Sequence, residues 1–480
     1  MVQHKITTIE HFLYVENTVC YNLTNCPFSL SLIISYSWPL ILLKVSMHVA
    51  PPIERRSSSL CSVDTMTNGL INWTRRINHQ RSLLRSLSCE QKLQRRTIAM
   101  TTVNDISQSA TSITKATLND VSQSATRDVV LVTGGAGFLG QHIVGHLQER
   151  TDHVSEIRVL DIRPYSNKLG HKEPKPLTSI LGNICDLPTV QQACRGVTAV
   201  VHVAGMVSYG TFPDIEGMQR VNVQGTKNIV ESCLNNGVER LVFCSTVDVV
   251  VGFDDIRDGR ETTTFVPKQF LFPGYPATKY EAECEVLKAN GKKCDNGRCL
   301  WTMSLRANVM YGEEDPFYVT SGLRSAASKR GRLVQVGDGQ SKFQQVYVGN
   351  TAWAFICADR ALRLNHNLGG EVFYVPDNTP VKNSFLFMKP YMESRNYRFT
   401  SYRLPWRPVY YGLYLMEIVL QFLSPLIKIN LPTASCSVRY INMDLYFNGT
   451  KGRQLLGYQP LYGPKEATKK SLKYYKNLKL

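Results

Sequence analysis

The chain has 480 residues, 43% of them hydrophobic, which is enough for two or three domains with buried cores. Its formal net charge is +17 at pH 7, but the basic residues concentrate near the two ends, and no aromatic RNA-binding motif accompanies them. This distribution argues against a nucleic-acid partner and favours an anionic membrane surface or a targeting role.

Residues 1–127 are rich in Ser, Thr, Asn and Arg and hold an imperfect repeat, N-D-I-S-Q-S-A-T from Asn104 and N-D-V-S-Q-S-A-T from Asn119. Such a segment has too little apolar surface to offset its ordering entropy, so we predict a disordered or targeting extension. One apolar run, Phe28 to Leu43, is short for a membrane span and contains Pro39. It is either a signal anchor or a stretch upstream of the true start.

Two later methionines offer alternative starts. A chain from Met66 begins with an Arg-rich, acid-poor stretch that resembles a mitochondrial transit peptide, whereas a chain from Met100 lacks most of the extension. The sequence leaves this choice open.

The run Val129 to Val132 predicts a strand that is buried on both faces. Gly134, Gly137 and Gly140 follow it, and apolar residues then recur at helical spacing. In such a strand-to-helix turn, glycines allow a tight bend, let a pyrophosphate approach the backbone and let helix and sheet pack closely. The predicted cofactor-binding residues of this turn are Gly134, Gly135, Ala136, Gly137, Phe138, Leu139 and Gly140.

A second β-branched run, Glu156 to Ile162, carries Asp161 near its end. A carboxylate at this place accepts hydrogen bonds from an adenosine ribose and repels a 2′-phosphate, so it favours NAD over NADP. Arg163, two residues further on, weakens this preference without reversing it. The predicted cofactor is therefore NAD.

Tyr275 and Lys279 stand four residues apart, on one face of a predicted helix. Oxidation of an alcohol needs a base for the hydroxyl proton, and a nearby ammonium group can lower the pKa of a phenol enough for that role. The predicted strand Leu241 to Thr246 can deliver a hydroxyl to the same cleft, because sites in open α/β sheets lie at the carboxyl ends of the strands.

Further strands are predicted near 179–184, 199–204, 239–246, 301–309, 333–337 and 371–376, alternating with helical stretches. This alternation is typical of an α/β fold with a doubly wound parallel sheet. We expect the dinucleotide-binding domain over 128–312 and a smaller substrate-binding region over 313–480. The thirteen cysteines show no zinc spacing, so we expect reduced thiols and no metal site.

The motifs from about Val129 to Lys473 resemble an extended short-chain dehydrogenase, and more closely the 3β-hydroxysteroid dehydrogenase/Δ5-Δ4 isomerase family. Besides the glycine loop, the resemblance rests on V-V-H-V-A-G at 200–205, V-N-V-Q-G-T at 221–226, Y-P-A-T-K at 275–279, V-Y-V-G-N-T-A-W-A at 346–354 and F-Y-V-P-D-N-T-P at 373–380. The last three are the most specific.

The resemblance implies roles for individual residues. Tyr275 matches the family's acid/base, Lys279 the residue that tunes it and binds the nicotinamide ribose, and Thr246 the catalytic hydroxyl, with Ser245 as the fallback. Asp186 matches an aspartate that contacts adenine, although a solvated loop aspartate fits the same pattern. Asn222 matches an asparagine that holds neighbouring strands together.

The chain departs from the family in two places and leaves one role open. Leu305-Arg306-Ala307 stands where the family often has Leu-Arg-Pro, and the catalytic hydroxyl is a threonine where vertebrate members usually have serine. Isomerisation needs a further acid/base, for which Asp248 is the candidate. A strand-end carboxylate facing solvent is an equally good interpretation of Asp248.

An apolar run lies at 408–427, between Arg407 and Lys428. Glu417 and Gln421 fall on one face of it, and a buried carboxylate in lipid is costly, so we expect a membrane-associated interfacial helix rather than a full span. A core helix that roofs the substrate cleft remains the alternative.

These observations predict NAD-dependent oxidation of a 3β-hydroxyl on a steroid or sterol, with or without isomerisation. The alternatives are a decarboxylating sterol-4α-carboxylate 3-dehydrogenase and a noncatalytic NAD-binding redox sensor. A nucleotide-sugar epimerase is less favoured, because a polar substrate gives no reason for the apolar run. The expected location is the endoplasmic reticulum membrane, with a mitochondrial membrane and a homodimer left open.

Overall fold

The computed structural model describes residues 127–426 and 428–480 in full, and the backbone alone of three earlier segments. These segments are strands β1 (Asn17–Leu23), β2 (Ser29–Ser37) and β3 (Leu40–His48), which pair antiparallel in the order β1-β2-β3. They are paired strands within the region for which we predicted a disordered or targeting extension, and residues 29–37 and 40–43 of the apolar run lie in β2 and β3. The rest of the predicted 1–127 extension, including the repeat and the alternative starts, lies outside the described residues, and its nature stays a prediction.

The strands from residue 128 onward are, in chain order, β4 (Asp128–Thr133), β5 (Val154–Asp161), β6 (Leu177–Leu181), β7 (Ala199–His202), β8 (Arg240–Thr246), β9 (Ile256–Gly259), β10 (Lys292–Lys293), β11 (Cys299–Ala307), β12 (Val309–Tyr311), β13 (Arg332–Val336), β14 (Gln345–Tyr347), β15 (Val372–Tyr374), β16 (Arg398–Leu404) and β17 (Leu445–Phe447). Eight of them form the central sheet. Its parallel strands run β6-β5-β4-β7-β8-β11-β15, and β10 pairs antiparallel with the start of β11.

The helices are α1 (Phe138–Arg150), α2 (Leu187–Cys194), α3 (Ile215–Met218), α4 (Gly225–Asn235), α5 (Tyr275–Lys288), α6 (Tyr318–Ser328), α7 (Val348–Leu364), α8 (Ser384–Glu393), α9 (Trp406–Leu423), α10 (Ser435–Tyr440), α11 (Thr450–Leu455) and α12 (Pro464–Asn477). A π-helical segment, Gln219–Gln224, joins α3 to α4. Crossover helices on both faces of the sheet are what a parallel sheet requires.

The sheet is buried on both faces because successive side chains of a strand point to opposite sides. Val130 and Val132 of β4 enter one apolar core with α1 and α7, whereas Leu131 enters a second core with α2, α4 and α5. This double burial explains why the strand is an uninterrupted apolar run in the sequence. The doubly wound parallel sheet predicted from the sequence is confirmed.

The remaining strands form three two-stranded parallel pairs, β12 with β14, β13 with β16 and β17 with β9. Together with α6 and α8 to α12 they build the second half of the chain. The sheet itself takes β15 from beyond the predicted boundary at 312, so the two halves share strands.

A buried ionic cluster lies at the amino ends of β4 and β8. The Arg240 guanidinium donates to Asp128 at 2.6 Å and to Asp359 of α7 at 2.8 Å, and Arg363 lies 3.3 Å from Asp128. His153 approaches Asp359 at 3.8 Å. Although Asp128, His153 and Asp359 lie close enough to hold a cation, the two arginines already balance the carboxylates. The cluster fixes α7 to the edge of the sheet where β4 and β8 begin.

Candidate active site

The glycine loop between β4 and α1 bends tightly enough for a dinucleotide. Gly134 has a φ of 72°, and its carbonyl accepts a hydrogen bond from the Gly137 N–H at 3.0 Å. A side chain at Gly140 would overlap the Gly134 carbonyl, so only glycine lets α1 start this close to the strand. The helix begins at Phe138, and the free N–H groups of a first turn favour phosphate.

Asp161 ends β5 beside this loop. One of its carboxylate oxygens accepts the Ala136 N–H at 3.1 Å, and the other accepts the Arg163 N–H at 3.0 Å. The carboxylate is therefore held in a fixed orientation at the edge of the glycine loop. The Arg163 guanidinium lies 3.8 Å from it and is largely exposed.

A cleft of about 220 Å³ opens next to the loop. Its lining includes Ala136, Gly137 and Phe138, together with the cations Arg163, Lys168 and Arg324. The acids Glu314 and Asp315 line the same cleft, and Glu314 pairs with Lys168 at 3.2 Å, so the cations exceed the acids by one. A small positive excess suits the negative charge of a dinucleotide.

Asp186 lies at the start of α2, on the same side of the sheet edge as Asp161. Its side chain is exposed, and it accepts a hydrogen bond from the Thr189 hydroxyl. The Gly182 N–H donates to the Asp161 carbonyl at 2.9 Å, which keeps the loop before α2 close to β5. This placement is compatible with an adenine contact, and that role stays a prediction.

Thr246 and Tyr275 meet at the carboxyl end of β8. A hydrogen bond with the Thr246 hydroxyl acts to lower the pKa of Tyr275. The Ser245 hydroxyl is buried and has no hydrogen-bond partner among the described residues. Because neighbouring residues of a strand face opposite sides, only one of the two hydroxyls can serve Tyr275, and the geometry selects Thr246.

Tyr275 is the first residue of α5, and Gly274 before it has a φ of 78°. Lys279 follows one helical turn later, and its ammonium lies over the Phe243 ring, 4.2 Å from the centroid. The predicted pair is thus brought together on one face, beside the end of β8.

Burial dominates the ionisation of both groups. It raises the pKa of Tyr275 well above its usual value, and the charges of Asp248 and Cys244 add to the rise. Burial lowers the pKa of Lys279, against the opposing effect of Cys244 and Glu283. The sequence predicts that Lys279 lowers the Tyr275 pKa, whereas burial and the charges of Asp248 and Cys244 set the direction of the shift in the folded protein and raise it.

Asn222 holds the loop after β7 against α5. Its side-chain oxygen accepts the Met206 N–H at 2.7 Å, and its side-chain nitrogen donates to the Met206 carbonyl at 2.9 Å and to Thr278 at 3.0 Å. These bonds fix the helix that carries Tyr275 and Lys279.

Asp248 is buried, not solvent-facing as one interpretation had it. One carboxylate oxygen accepts the Tyr440 hydroxyl at 2.7 Å, and the other lies 3.5 Å from the Tyr209 hydroxyl. Burial raises the pKa of Asp248, and these hydrogen bonds, with one from Thr246, oppose the rise.

Aromatic rings enclose this end of the site. Tyr209 meets Tyr275 edge to face with centroids 5.6 Å apart and contacts Phe272 at 4.8 Å, and Phe272 contacts Tyr440 at 5.0 Å. No pattern in the sequence points to these residues, because Tyr209 and Phe272 lie in loops and Tyr440 lies far along the chain.

A second buried network of hydrogen bonds connects α5 to strand β11. Glu283, one turn beyond Lys279, accepts two hydrogen bonds from Arg306, at 2.6 and 3.1 Å, and one from Ser304 at 2.9 Å. Arg306 also donates to the Tyr374 hydroxyl at 3.2 Å. Arg306 thus fixes helix α5 through Glu283. This contact does not depend on whether alanine, as here, or the family's proline follows at position 307.

Helix α9 covers most of the apolar run 408–427, and its polar residues Glu417 and Gln421 bond to other segments of the protein, although Gln421 is exposed to solvent as well. Glu417 accepts the Ser435 N–H at 2.7 Å and the Ser435 hydroxyl at 2.6 Å, and Gln421 donates to the Thr211 carbonyl at 3.2 Å. The helix exposes Tyr411, Tyr414, Met416, Val419, Phe422 and Leu423, and of these Met416, Val419, Phe422 and Leu423 lie on the side away from Glu417 and Gln421. No helix among the described residues has both the length and the apolar character to cross a bilayer.

The parallel sheet, the glycine loop with Asp161, and the Thr246, Tyr275 and Lys279 group define an extended short-chain dehydrogenase, an oxidoreductase with NAD as its cofactor. Within that class, the model of the 3-beta hydroxysteroid dehydrogenase/isomerase family matches residues 131–406, and the chain belongs to this family. Both the predicted family and the predicted cofactor are confirmed.

Two curated proteins are similar over most of the chain. Short-chain dehydrogenase/reductase family 42E member 1 of Xenopus laevis is 30% identical over 341 residues, which cover 70% of this chain and 85% of that protein. Sterol-4-alpha-carboxylate 3-dehydrogenase, decarboxylating, of Mus musculus is 29% identical over 348 residues, covering 72% and 91%.

Solved structures share the fold at lower identity. MoeE5 in complex with UDP-glucuronic acid and NAD is 19% identical with a TM-score of 0.52, covering 72% of this chain and 98% of that one. The UDP-glucose 4-epimerase of Thermus thermophilus in complex with NAD is 21% identical with a TM-score of 0.51, covering 73% and 99%. At these identities the likeness concerns the fold alone.

Proposed function

We propose that the protein oxidises the 3β-hydroxyl of a steroid or sterol to the 3-ketone, with NAD as the acceptor. The observation that carries the proposal is the placement of Thr246 and Tyr275 at the carboxyl end of β8, where the Thr246 hydroxyl acts to lower the Tyr275 pKa, with Lys279 one helical turn after Tyr275. Family membership supplies the substrate class. A noncatalytic redox sensor would have no chemical need for all three side chains.

The proton and the hydride leave the alcohol by separate routes. When bound, NAD supplies the acceptor for the hydride from C3. Tyr275 takes the hydroxyl proton, and Thr246 orients the alcohol oxygen by a hydrogen bond. Because burial raises the Tyr275 pKa, the phenolate needs the Lys279 ammonium and the Thr246 hydroxyl close by when it forms.

A second candidate substrate is a sterol that carries a carboxylate at C4. Oxidation at C3 places a ketone β to that carboxylate, and carbon dioxide can then leave without a further protein group. The similarity to the mouse decarboxylating dehydrogenase favours this alternative.

Asp248 supports a further isomerisation step, from the Δ5-3-ketone to the Δ4-3-ketone. It lies in the same aromatic enclosure as Tyr275, and its burial raises its pKa. A carboxyl group with a raised pKa holds a proton more readily than an ordinary aspartate, which suits a group that first accepts and then donates one.

We also propose that α9 docks on a membrane surface. Its apolar residues point outward while Glu417 and Gln421 bind the protein, which is the reverse of an ordinary surface helix. Trp406 at its start is flanked by the guanidinium groups of Arg407 and Arg439. Aromatic rings with cations are typical of the region where a helix meets anionic headgroups.

The membrane contact gives a hydrophobic substrate a short route from the bilayer to the enzyme. We therefore propose the endoplasmic reticulum membrane as the location, with a mitochondrial membrane as the alternative. Fractionation of cells that express the full chain, with marker enzymes for each organelle, tests this assignment.

The activity is tested with membrane fractions that contain the full chain. Pregnenolone, dehydroepiandrosterone and a 4-carboxysterol are offered with NAD, while absorbance at 340 nm reports reduced cofactor and absorbance near 240 nm reports a conjugated enone. Reduced cofactor with the first two substrates supports the steroid dehydrogenase, and the enone band adds the isomerase. Reduced cofactor with the carboxysterol alone assigns the decarboxylating reaction. No reduced cofactor with any of the three substrates rejects the proposal.

Membrane docking is tested by flotation with anionic vesicles. Val419→Glu places a carboxylate on the outward face of α9, and we expect it to remove most of the vesicle-bound protein. Leu364→Glu is the matched control, because Leu364 is 77% exposed at the end of α7, away from α9. Equal flotation of the two variants would reject the docking surface.

A further inference from the structure

The two polar side chains on the inner face of α9 reach different segments of the protein. Glu417 binds both the N–H and the hydroxyl of Ser435, the first residue of α10. Gln421 binds the Thr211 carbonyl in the loop after β7, and the Thr211 hydroxyl in turn accepts the Leu431 N–H at 3.1 Å.

Each of these segments carries one of the tyrosines that bind Asp248. Tyr440 lies on α10, five residues after Ser435, and Tyr209 lies two residues before Thr211. The Tyr440 hydroxyl donates to one oxygen of Asp248, and the Tyr209 hydroxyl approaches the other. Two separate polar connections therefore run from α9 and converge on a single carboxylate.

That carboxylate acts directly on the catalytic group. The charge of the Asp248 carboxylate is one of the causes that raise the pKa of Tyr275. The backbone N–H of Asp248 also donates a hydrogen bond to the Thr246 hydroxyl at 3.2 Å. The groups that face Asp248 are Tyr209 from the loop after β7, Tyr275 from α5, Tyr440 from α10 and Thr246 from β8.

We propose that Glu417 and Gln421 are positioning residues for the active site, which act by holding Tyr440 and Tyr209 on Asp248. This explains why a helix with an apolar outer face keeps a carboxylate and an amide on its inner face. It also makes α9 a part of the catalytic machinery, because a displacement of the helix changes the hydrogen bonds of Asp248. The inference rests on the proposed role of Tyr275, but neither on the identity of the substrate nor on membrane docking.

The test reads the ionisation of Asp248 without any substrate. The full chain is labelled with ¹³C at the aspartate carboxyl carbons, the Asp248 signal is assigned by its loss in Asp248→Asn, and its chemical shift is followed against pH. Tyr440→Phe keeps the ring and removes the donor, so the Asp248 pKa should rise by about one unit, the size that loss of one charge-assisted hydrogen bond gives.

Glu417→Gln and Gln421→Leu do not touch Asp248, yet each should raise its pKa in the same direction. Adding Glu417→Gln to Tyr440→Phe should produce no further rise, because both changes break the same connection. The matched controls are Glu393→Gln and Tyr402→Phe, whose side chains lie on α8 and β16 and are exposed. They should leave the Asp248 pKa unchanged.

The proposal is overturned if neither Glu417→Gln nor Gln421→Leu moves the Asp248 pKa, or if Glu417→Gln and Tyr440→Phe add in full. The two α9 variants act through different segments, so one folded variant is enough to decide. Failure to oxidise any steroid would reject the proposed function while leaving this titration interpretable.

Discussion

Asp161 shows how a single side chain sets the choice of cofactor. Its two carboxylate oxygens each accept a backbone N–H, one from the glycine loop and one from Arg163, so the carboxylate is oriented before any ligand arrives. A preoriented anion can bind ribose hydroxyls and repel a 2′-phosphate. Its position was predictable, since the residue ends a β-branched run next to the loop, and its role towards the ribose stays a prediction.

Asp161→Asn should weaken NAD binding by about tenfold, because a charge-assisted hydrogen bond is replaced by a neutral one. The discrimination against NADP should shrink, since Arg163 remains nearby without the opposing charge. Titration with both dinucleotides by protein fluorescence measures the two dissociation constants. Asp152→Asn, an exposed aspartate after α1, is the control; an unchanged NAD to NADP ratio in Asp161→Asn would contradict the assigned role.

Local spacing predicts the Tyr275 and Lys279 pair and a hydroxyl at the end of β8, and the family resemblance assigns that hydroxyl to Thr246. The same reasoning cannot find Tyr209 or Tyr440, since a hydroxyl bond to Asp248 across 192 positions leaves no pattern in the sequence. The direction of the Tyr275 pKa shift could not be predicted from the sequence, because it depends on burial and on the charges of Asp248 and Cys244.

Among the elements, the start of α1 depends most on a single residue. A Cβ at Gly140 would overlap the Gly134 carbonyl and the Gly135 backbone, neither of which can move without opening the turn. Close contact between helix and loop is therefore what places the first-turn N–H groups beside a phosphate.

Gly140→Ala should abolish detectable NAD binding and lower the melting temperature. Gly412→Ala is the matched change on α9, where an added Cβ meets no atom within 4 Å. It should be neutral or raise stability by about 0.5–1 kcal/mol, because alanine loses less entropy in a helix. Calorimetry with and without NAD measures both effects, and similar behaviour of the two variants would refute the packing argument.

Element prediction succeeded for most strands of the central sheet, including the four-residue β7 and the three-residue β15. Strands β8 and β11 lie within or near the predicted 239–246 and 301–309, and β13 lies close to 333–337. The short strands β9, β12, β14 and β17 have three or four residues, and each pairs with a distant segment. The paired strands β1 to β3 were missed because the polar composition around them dominated the prediction.

At the scale of the whole molecule, buried histidines couple the first half of the chain to the second. The His142 Nε2 donates to the Glu313 carbonyl at 3.1 Å, and the His146 Nε2 donates to the Gly349 carbonyl at 2.9 Å. Burial lowers the pKa of each to about 4, from an ordinary value of 6.5. Both rings are therefore neutral across the neutral and mildly acidic range.

These two histidines should lower the free energy of unfolding as the pH falls below 6.5. Between pH 6.5 and about 4 the unfolded chain takes up their protons and the folded protein does not, so each lowers the free energy of unfolding by about 1.4 kcal/mol per pH unit. His146→Gln keeps an amide donor for the Gly349 carbonyl and removes the titration. Denaturant unfolding from pH 7 to 4 should show a shallower decline in this variant than in the exposed control His366→Gln, and equal slopes would contradict the coupling.

The central claim is that this fold removes a hydride from C3 of a 3β-hydroxy steroid while Tyr275 accepts the hydroxyl proton. The most direct measurement follows deuterium from C3 of a labelled 3β-hydroxy steroid into the reduced cofactor by mass spectrometry, in membrane fractions with the full chain or its Tyr275→Phe variant. We predict deuterated reduced cofactor from the native chain, and a rate at least about a hundredfold lower from the variant, the usual effect of losing an acid/base group. Unlabelled reduced cofactor, or a variant as fast as the native chain, would contradict the account.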